Sequence, residues 1–96
     1  MNRQELLSFL KAQSPEMHEK FGVTRIGIVG SYAREEATEQ SDIDIIVELQ
    51  SDNKFRSFFN LLHYLEDSLQ VPVDLATEAS LKPLVRQSIL KDIIYV

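Results

Sequence analysis

Hydrophobic positions at the start of the chain recur at helical spacing. They repeat every three to four residues as Leu6, Leu7, Phe9 and Leu10. Asn2 precedes them as a suitable N-cap, so we expect a helix over about residues 3–13. Pro15 suits a first helical turn, which predicts a second short helix over 15–20 that ends at Gly22.

Three later segments have the pattern of β-strands. Residues 23–29 are rich in β-branched side chains and form the first. Residues 42–49 form the second, and because residues 45–47 are apolar on both faces, we expect this strand to be central. Residues 71–76 form the third, and Pro72 favours either a position at the edge of the sheet or the first residues of the strand.

Two further helices follow the second and third strands. Residues 54–70 carry an apolar stripe at i, i+3, i+4, i+7 spacing: Phe55, Phe58, Phe59, Leu62, Leu65 and Leu69. Ser80 is a suitable cap for a last helix with Pro83 in its first turn. Its expected core positions are Leu81, Leu84, Val85 and Ile89. Residues 93–96 either extend this helix or add a short strand.

This alternation of helices and strands predicts an α/β (α+β) fold, a small mixed sheet flanked by helices. The 96 residues contain no linker, repeat or low-complexity stretch, so we expect a single domain over 1–96. A domain of this size has no room for a separate domain that binds an acceptor substrate.

Composition narrows the classes of function. The formal net charge of -5 disfavours direct nucleic-acid binding. Cysteine is absent, which leaves carboxylates and histidines as the strong metal ligands. No apolar run approaches the ~20 residues of a membrane span, and the N-terminus lacks the pattern of a secretory signal. We therefore expect a cytoplasmic protein.

Asp42 and Asp44 are the first candidates for chemistry. Positions i and i+2 of a strand share a face, so both carboxylates project together while Ile43 points into the core. Paired carboxylates suit one or two Mg²⁺ ions, which bind substrate phosphates as well. Two such ions can stabilise the attacking and leaving oxygens of a phosphoryl displacement.

Gly30, Ser31 and Arg34 are candidates for binding the phosphates of a nucleotide. A glycine at a strand end lets the backbone approach a phosphate closely, and a helix that opens at Ser31 would direct N–H groups towards it. Arg34 lies one turn further on and offers a forked donor to the same phosphates. The two halves meet if the strand before Gly30 neighbours the strand that carries Asp44.

Together these residues match a family signature. Gly30-Ser31, a ten-residue spacer and Asp42-Ile43-Asp44 resemble the G-S-x10-D-x-D motif of the DNA polymerase β-type nucleotidyltransferase superfamily. The segments GSYAREEATEQSDIDIIVEL and VPVDLAT are similar to the minimal nucleotidyltransferase (MNT) family, and the resemblance covers about residues 23–95. It implies a polymerase β-like core, with ATP as substrate and Mg²⁺ as cofactor.

The resemblance also implies residue roles. Asp74 matches the third family carboxylate, on a later strand. Asp42, Asp44 and Asp74 would be catalytic and bind metal, and Asp74 would help to deprotonate the attacking hydroxyl. Gly30 and Ser31 would hold the triphosphate. Glu35 departs from the family loop, which commonly has glycine there, either for a positive φ or for space near the phosphates.

Family members often act as antitoxins beside a HEPN-domain toxin, and some transfer AMP to a toxin tyrosine. The resemblance therefore implies a protein adenylyltransferase in a hetero-oligomer with a HEPN-type protein encoded next door. The alternative is a non-catalytic module that neutralises its partner by binding alone. Transfer to a small molecule, such as an aminoglycoside, is less favoured because those enzymes usually carry an added domain.

Ordinary structural roles account for other conspicuous side chains. His18 and His63 lie on separate predicted helices and are assigned to surface or packing positions. Tyr32 either packs against the sheet or stacks on adenine. Tyr64 falls off the apolar stripe, which predicts an exposed side chain, at an interface or on ordinary surface.

Overall fold

The structure is a computed structural model that describes residues 1–96, and it confirms a mixed four-stranded sheet with flanking helices. In chain order the elements are α1 (Arg3–Phe21), β1 (Val23–Val29), α2 (Gly30–Ala33), β2 (Ile43–Leu49), α3 (Lys54–Leu69), β3 (Val73–Thr77), a 3₁₀ turn (Glu78–Ser80), α4 (Pro83–Leu90) and β4 (Ile94–Tyr95). None of the helices combines the length and apolar character needed to cross a membrane.

The strand order in the sheet is β3-β2-β1-β4. β1 is antiparallel to both of its neighbours, whereas β2 and β3 are parallel and joined through α3. The central position predicted for β2 and the edge position predicted for β3 are both confirmed. β3 begins at Val73 rather than residue 71, and the Pro72 carbonyl, next to it, accepts a hydrogen bond from the Ile43 N–H.

The N-terminal segment is one helix, so the prediction of two helices is wrong. Pro15 lies inside α1 and is exposed. Because proline has no N–H, the carbonyl four residues earlier has no helical hydrogen-bond partner, and water can reach it. Leu6, Leu10 and Met17 are fully buried on either side of the proline. Their shared burial keeps both halves on one axis, against a cost of about 3 kcal/mol for an interior proline.

The apolar face of α3 differs from the predicted stripe. The buried side chains are Leu61, Leu65 and Leu69, whereas Phe55 is 76% exposed and Phe59 is 41% exposed. Because Leu61 and Leu62 are adjacent leucines, the sequence does not decide which of the two lies on the buried face of α3. Only the C-terminal part of α3 has a buried face, and its first turn projects into solvent.

The predictions for α4 and its flanks also need correction. Ser80 lies in the 3₁₀ turn, and the residue that caps α4 is Lys82. No residue of α4 is buried, and Leu84 is 82% exposed. Of the two alternatives left open for residues 93–96, the strand is the one formed, as β4. Assigning apolar residues to the core by spacing alone failed here.

The main core lies between one face of the sheet and the helices α1 and α3. Ile43, Ile45 and Val47 of β2 point to this side and are buried. Tyr32 is also buried in it, so the packing interpretation of this tyrosine holds. Tyr64 is partly buried rather than exposed. Its hydroxyl lies 2.9 Å from Gln13 Oε1, so the side chain lies against α1.

Candidate functional site

The opposite face of the sheet brings the predicted acidic residues together. Asp44 of β2 is the direct register partner of Asp74 of β3, and Val29 at the end of β1 pairs with Asp44 from the other side. Gly30 follows Val29 and therefore lies beside the Asp44 carboxylate. The neighbouring strands needed to join the two halves of the motif are present.

Gly30 is required at this position for two reasons. Its φ of 72° lies in the left-handed region that favours glycine. A Cβ on Gly30 would also collide with Oδ2 of Asp44. The backbone therefore turns from β1 into α2 directly against a carboxylate, and any side chain here would fill the space beside it.

The carboxylates at this site have no cation close enough to neutralise them fully. Burial raises the pKa of Asp44, and the charges of Asp74 and Asp42 raise it further, while Arg34 acts weakly in the opposite direction. A bound cation would relieve both the burial cost and the mutual repulsion. The site is therefore electrostatically suited to a positively charged ligand.

A cavity of about 360 Å³ opens at this site. Four predicted site residues line it, namely Gly30, Arg34, Asp44 and Asp74. Asp42 and Ser31 do not. Asp42 is exposed and precedes β2, which begins at Ile43 rather than at residue 42, and it acts on Asp44 through its charge. Ser31 is half-buried in α2.

The far wall of the cavity comes from α4 and its flanks, which sequence reasoning did not connect with the site. Leu81, Ser88, Ile89 and Asp92 line it. Asp92 Oδ2 lies 3.3 Å from Arg34 Nη1, and Glu36 Oε2 lies 3.4 Å from Arg34 Nε. Arg34 is therefore held at the rim by two exposed ion pairs. No signal in the sequence marks Asp92, because the contact joins residues 58 positions apart.

Glu35 has the backbone conformation for which glycine is favoured. Its φ is 60°, so the positive-φ alternative is confirmed. Its carboxylate pairs with Arg3 Nη2 at 2.6 Å, and Arg3 Nη1 donates to the Ala33 carbonyl at 3.1 Å. The first residue of α1 thus anchors the end of α2 and neutralises the charge that Glu35 adds to the loop.

The residues at the site fit a divalent cation that is shared with phosphates. No group of three or more histidine or acidic side chains is arranged to hold an ion by itself. Mg²⁺, however, typically takes one or two carboxylates and completes its shell with phosphate oxygens and water. Asp44 and Asp74 supply such a pair, next to a glycine that leaves space for phosphate.

A larger cleft, of about 740 Å³, lies at the other end of β2 and β3. Its buried acid is Glu78, which sequence reasoning missed. Arg25 Nη2 lies 2.7 and 2.6 Å from the two carboxylate oxygens of Glu78, and the Tyr95 hydroxyl donates to Oε1 at 2.5 Å. The Arg25 guanidinium also lies 4.4 Å from the centre of the Tyr95 ring. This cluster ties β1, β4 and the 3₁₀ turn together.

Comparison with known proteins places these features in a family. The model of the nucleotidyltransferase domain family matches residues 10–96. The protein adenylyltransferase MntA of Thermococcus cleftensis is 41% identical over 93 residues, which cover 97% of this chain and 94% of that protein. A Methanocaldococcus jannaschii protein named as a candidate protein adenylyltransferase is 43% identical over 93 residues, 96% of this chain and 95% of that protein.

Solved structures share the fold. A candidate minimal nucleotidyltransferase matches with a TM-score of 0.82 at 31% identity, over 98% of this chain and 95% of that chain. A toxin–antitoxin structure with AMP-PNP matches with a TM-score of 0.69 at 22% identity, over 99% of this chain and 72% of that chain. The structure of a tri-AMPylated Shewanella oneidensis HEPN toxin in complex with MNT antitoxin matches with a TM-score of 0.60 at 21% identity, over 98% of this chain and 67% of that chain. The last two similarities concern the fold alone.

Proposed function

We propose that this chain transfers AMP from ATP to a tyrosine hydroxyl of a partner protein. The chain belongs to the nucleotidyltransferase domain family and is a nucleotidyltransferase. The partner is a HEPN-type toxin encoded next door, and this chain is its antitoxin, in a cytoplasmic hetero-oligomer. The observation that carries the proposal is the Asp44–Asp74 pair beside Gly30 at one cavity.

The cavity supports a nucleotide as the donor. Asp44 and Asp74 on its acidic side would hold one or two Mg²⁺ ions, with Asp42 adjacent. Gly30 and Ser31 at the start of α2 hold the triphosphate, because the missing side chain of Gly30 lets phosphate approach the backbone. Arg34 exchanges its ion pairs with Glu36 and Asp92 for phosphate oxygens.

The reaction is an in-line displacement at phosphorus. The acceptor hydroxyl oxygen forms a bond to the α-phosphorus of ATP, and the bond from that phosphorus to the oxygen bridging to the β-phosphate breaks. Pyrophosphate leaves, and the hydroxyl proton passes to the Asp74 carboxylate. Bound Mg²⁺ supplies stabilisation of the negative charge on the phosphates. The protein contributes mainly by holding the reactants in line.

Two observations support an acceptor on another protein. No tyrosine lines the cavity, so the chain presents none of its own tyrosine hydroxyls at the site. The matching Thermococcus cleftensis relative is named a protein adenylyltransferase, and it is similar to this chain over nearly its whole length. The HEPN assignment rests on the fold that this chain shares with an MNT antitoxin bound to an AMPylated HEPN toxin.

Intact-mass spectrometry of the HEPN-type neighbour, after incubation with this protein, ATP and Mg²⁺, tests the proposal. We expect the neighbour to gain one or more AMP units, and Asp44→Asn to reduce the gain by about 100-fold or more. Parallel reactions with the other nucleoside triphosphates define the donor. Neutralisation of the partner with no change in mass, and equally by Asp44→Asn, would establish the non-catalytic binding module instead.

A further inference from the structure

The helix α4 leaves large apolar side chains in solvent. None of its eight residues is buried. Leu84 is 82% exposed, and Val85 and Leu90 are each 47% exposed. Helices on the surface of a globular domain normally turn such side chains towards the core. A short helix that keeps them outward is typical of a surface that another molecule covers.

The exposed side chains continue the wall of the cavity. Ser88 and Ile89 of α4 line the cavity together with Asp44 and Asp74. Leu84 is four residues before Ser88, and Val85 is four residues before Ile89, so each pair shares a face of the helix. We call Leu84, Val85, Ser88 and Ile89 the α4 rim. Ser88 and Ile89 line the cavity, whereas Leu84 and Val85 are exposed to solvent.

The segment that carries the α4 rim also has a charge opposite to that of the rest of the chain. Three of the ten basic residues, Lys82, Arg86 and Lys91, lie on or beside α4, and all three are exposed. None of the fifteen acidic residues lies within residues 79–91. In a protein of net charge -5, Lys82 and Lys91 add basic charge beside the apolar α4 rim and the acidic site, whereas Arg86 lines the other cleft, near Glu78.

We propose that the α4 rim is the docking surface for the protein acceptor, whose hydroxyl lies within an acidic surface that has an apolar centre. The inference rests on the proposed AMP transfer. An acceptor oxygen must come within about 3–3.5 Å of the phosphorus it attacks. A folded acceptor that reaches into the cavity must therefore lie against the cavity wall. Acidic groups on the acceptor complement Lys82 and Lys91 and bring it to the site by electrostatic attraction.

A second exposed apolar surface provides a matched control. Phe55 and Phe59 on α3 are 76% and 41% exposed, and Lys54 and Arg56 flank Phe55. They lie beyond the C-terminal end of β2, whereas Asp44 lies at its start. Five residue steps separate Asp44 from Leu49, about 17 Å along the strand. This surface resembles the α4 rim in chemistry but does not continue the wall of the cavity.

The test measures AMP transfer to the HEPN-type neighbour for Leu84→Glu and Phe55→Glu. Both side chains are largely exposed, so both variants are expected to fold, which circular dichroism checks. For Leu84→Glu we expect the KM for the neighbour to rise about tenfold, more than substitution of most interface residues causes, with the KM for ATP unchanged. For Phe55→Glu we expect both constants to stay as in the wild type. Equal neighbour KM values for Leu84→Glu and the wild type would overturn the docking surface alone.

Binding measurements separate this proposal from the reaction itself. If the wild-type protein binds the neighbour without transferring AMP, the proposed reaction fails, and tenfold weaker binding by Leu84→Glu still supports the docking surface. If Leu84→Glu instead loses binding to RNA or to anionic phosphatidylserine vesicles while it binds the neighbour normally, the rim serves another ligand and the proposal is overturned. No binding of the neighbour by the wild type would overturn both proposals.

Discussion

Asp44 and Glu78 lie at opposite ends of the sheet, where Asp44 is half-buried and Glu78 is buried. Burial raises the pKa of Asp44, and the nearby charges of Asp74 and Asp42 add to the effect. Burial also acts to raise the pKa of Glu78, but hydrogen bonds from Tyr95 and Arg25 outweigh it, so that the pKa lies below its ordinary value. Desolvation thus accompanies a raised pKa at Asp44 and a lowered pKa at Glu78.

The difference lies in where the compensating groups come from. Glu78 receives its donors from β1 and β4, and these bonds also hold the strands together. The charges of Asp74 and Asp42 oppose the ionisation of Asp44 and only that of Arg34 favours it, so the folded chain leaves the Asp44 charge incompletely compensated. Only the Asp44 end therefore has the electrostatics of a binding site, because a bound cation must supply the positive charge that the chain does not.

The largest expected effect comes from Asp44→Asn. Removing one ligand charge should weaken Mg²⁺-ATP binding strongly and reduce AMP transfer by about 100-fold or more, since metal stabilisation of the transition state amounts to several kcal/mol. Isothermal titration with Mg²⁺-ATP and the mass assay measure the two effects. Binding as tight as that of the wild type would show that Asp44 is not part of the site.

The same variant sharpens the comparison when no nucleotide is present. Because Asp44→Asn removes repulsion with Asp74 and Asp42, we expect its melting temperature to exceed that of the wild type. Glu78→Gln should lower the melting temperature. Shifts of the same sign for both variants would contradict the contrast between the two ends.

The next largest effect is the loss of stability in Glu78→Ala. It leaves Arg25 and the Tyr95 hydroxyl without their carboxylate acceptor, which should cost about 1–3 kcal/mol of unfolding free energy. Urea denaturation measures this cost, with Glu39→Ala as an exposed control outside the cluster. Mg²⁺-ATP binding by the folded variant should be unchanged, since Glu78 does not line the cavity that holds Asp44.

Stability should also depend on pH through Glu78. Its folded pKa is lowered below the ordinary value of 4.5, so its stabilisation is present above that pH and is lost as the pH falls through the folded pKa. The stability difference between the wild type and Glu78→Gln should therefore shrink as the pH falls below about 4.5. Thermal melts from pH 7 to pH 3 measure this difference, and a constant difference would exclude a titrating role for Glu78.

The smallest effect concerns Arg3 and Glu35. Arg3→Ala leaves the Glu35 carboxylate unpaired near Gly30 and Ser31, which we propose hold the triphosphate. We therefore expect ATP affinity to fall a few-fold, and more at low salt. In a Glu35→Gly background the same Arg3 change should have less effect, because the charge it exposes is gone. Titration of ATP into the four proteins of this cycle tests the coupling. Additive effects would place Glu35 too far from the phosphates to matter.

Local sequence rules predicted the strands well. The central β2 followed from its apolar run, because residues that are apolar on both faces indicate a strand covered on both sides, and the edge β3 agrees with Pro72, which has no N–H to donate to a neighbouring strand. The same rules failed where packing competes with local preference. Pro15 lies inside one helix because Leu10 and Met17 are buried on the same core. α4 keeps Leu84 in solvent because the domain offers nothing to cover it.

The sequence by itself determined which residues gather at the site. The spacing of Gly30 and Asp44 reflects the length of the connection through α2 between β1 and β2, and alternation along a strand decides which side chains share a face. Only the tertiary structure decided what surrounds them. The Arg34–Asp92 and Arg25–Glu78 pairs join residues more than fifty positions apart, and their contacts depend on how the strands and helices pack rather than on any local pattern.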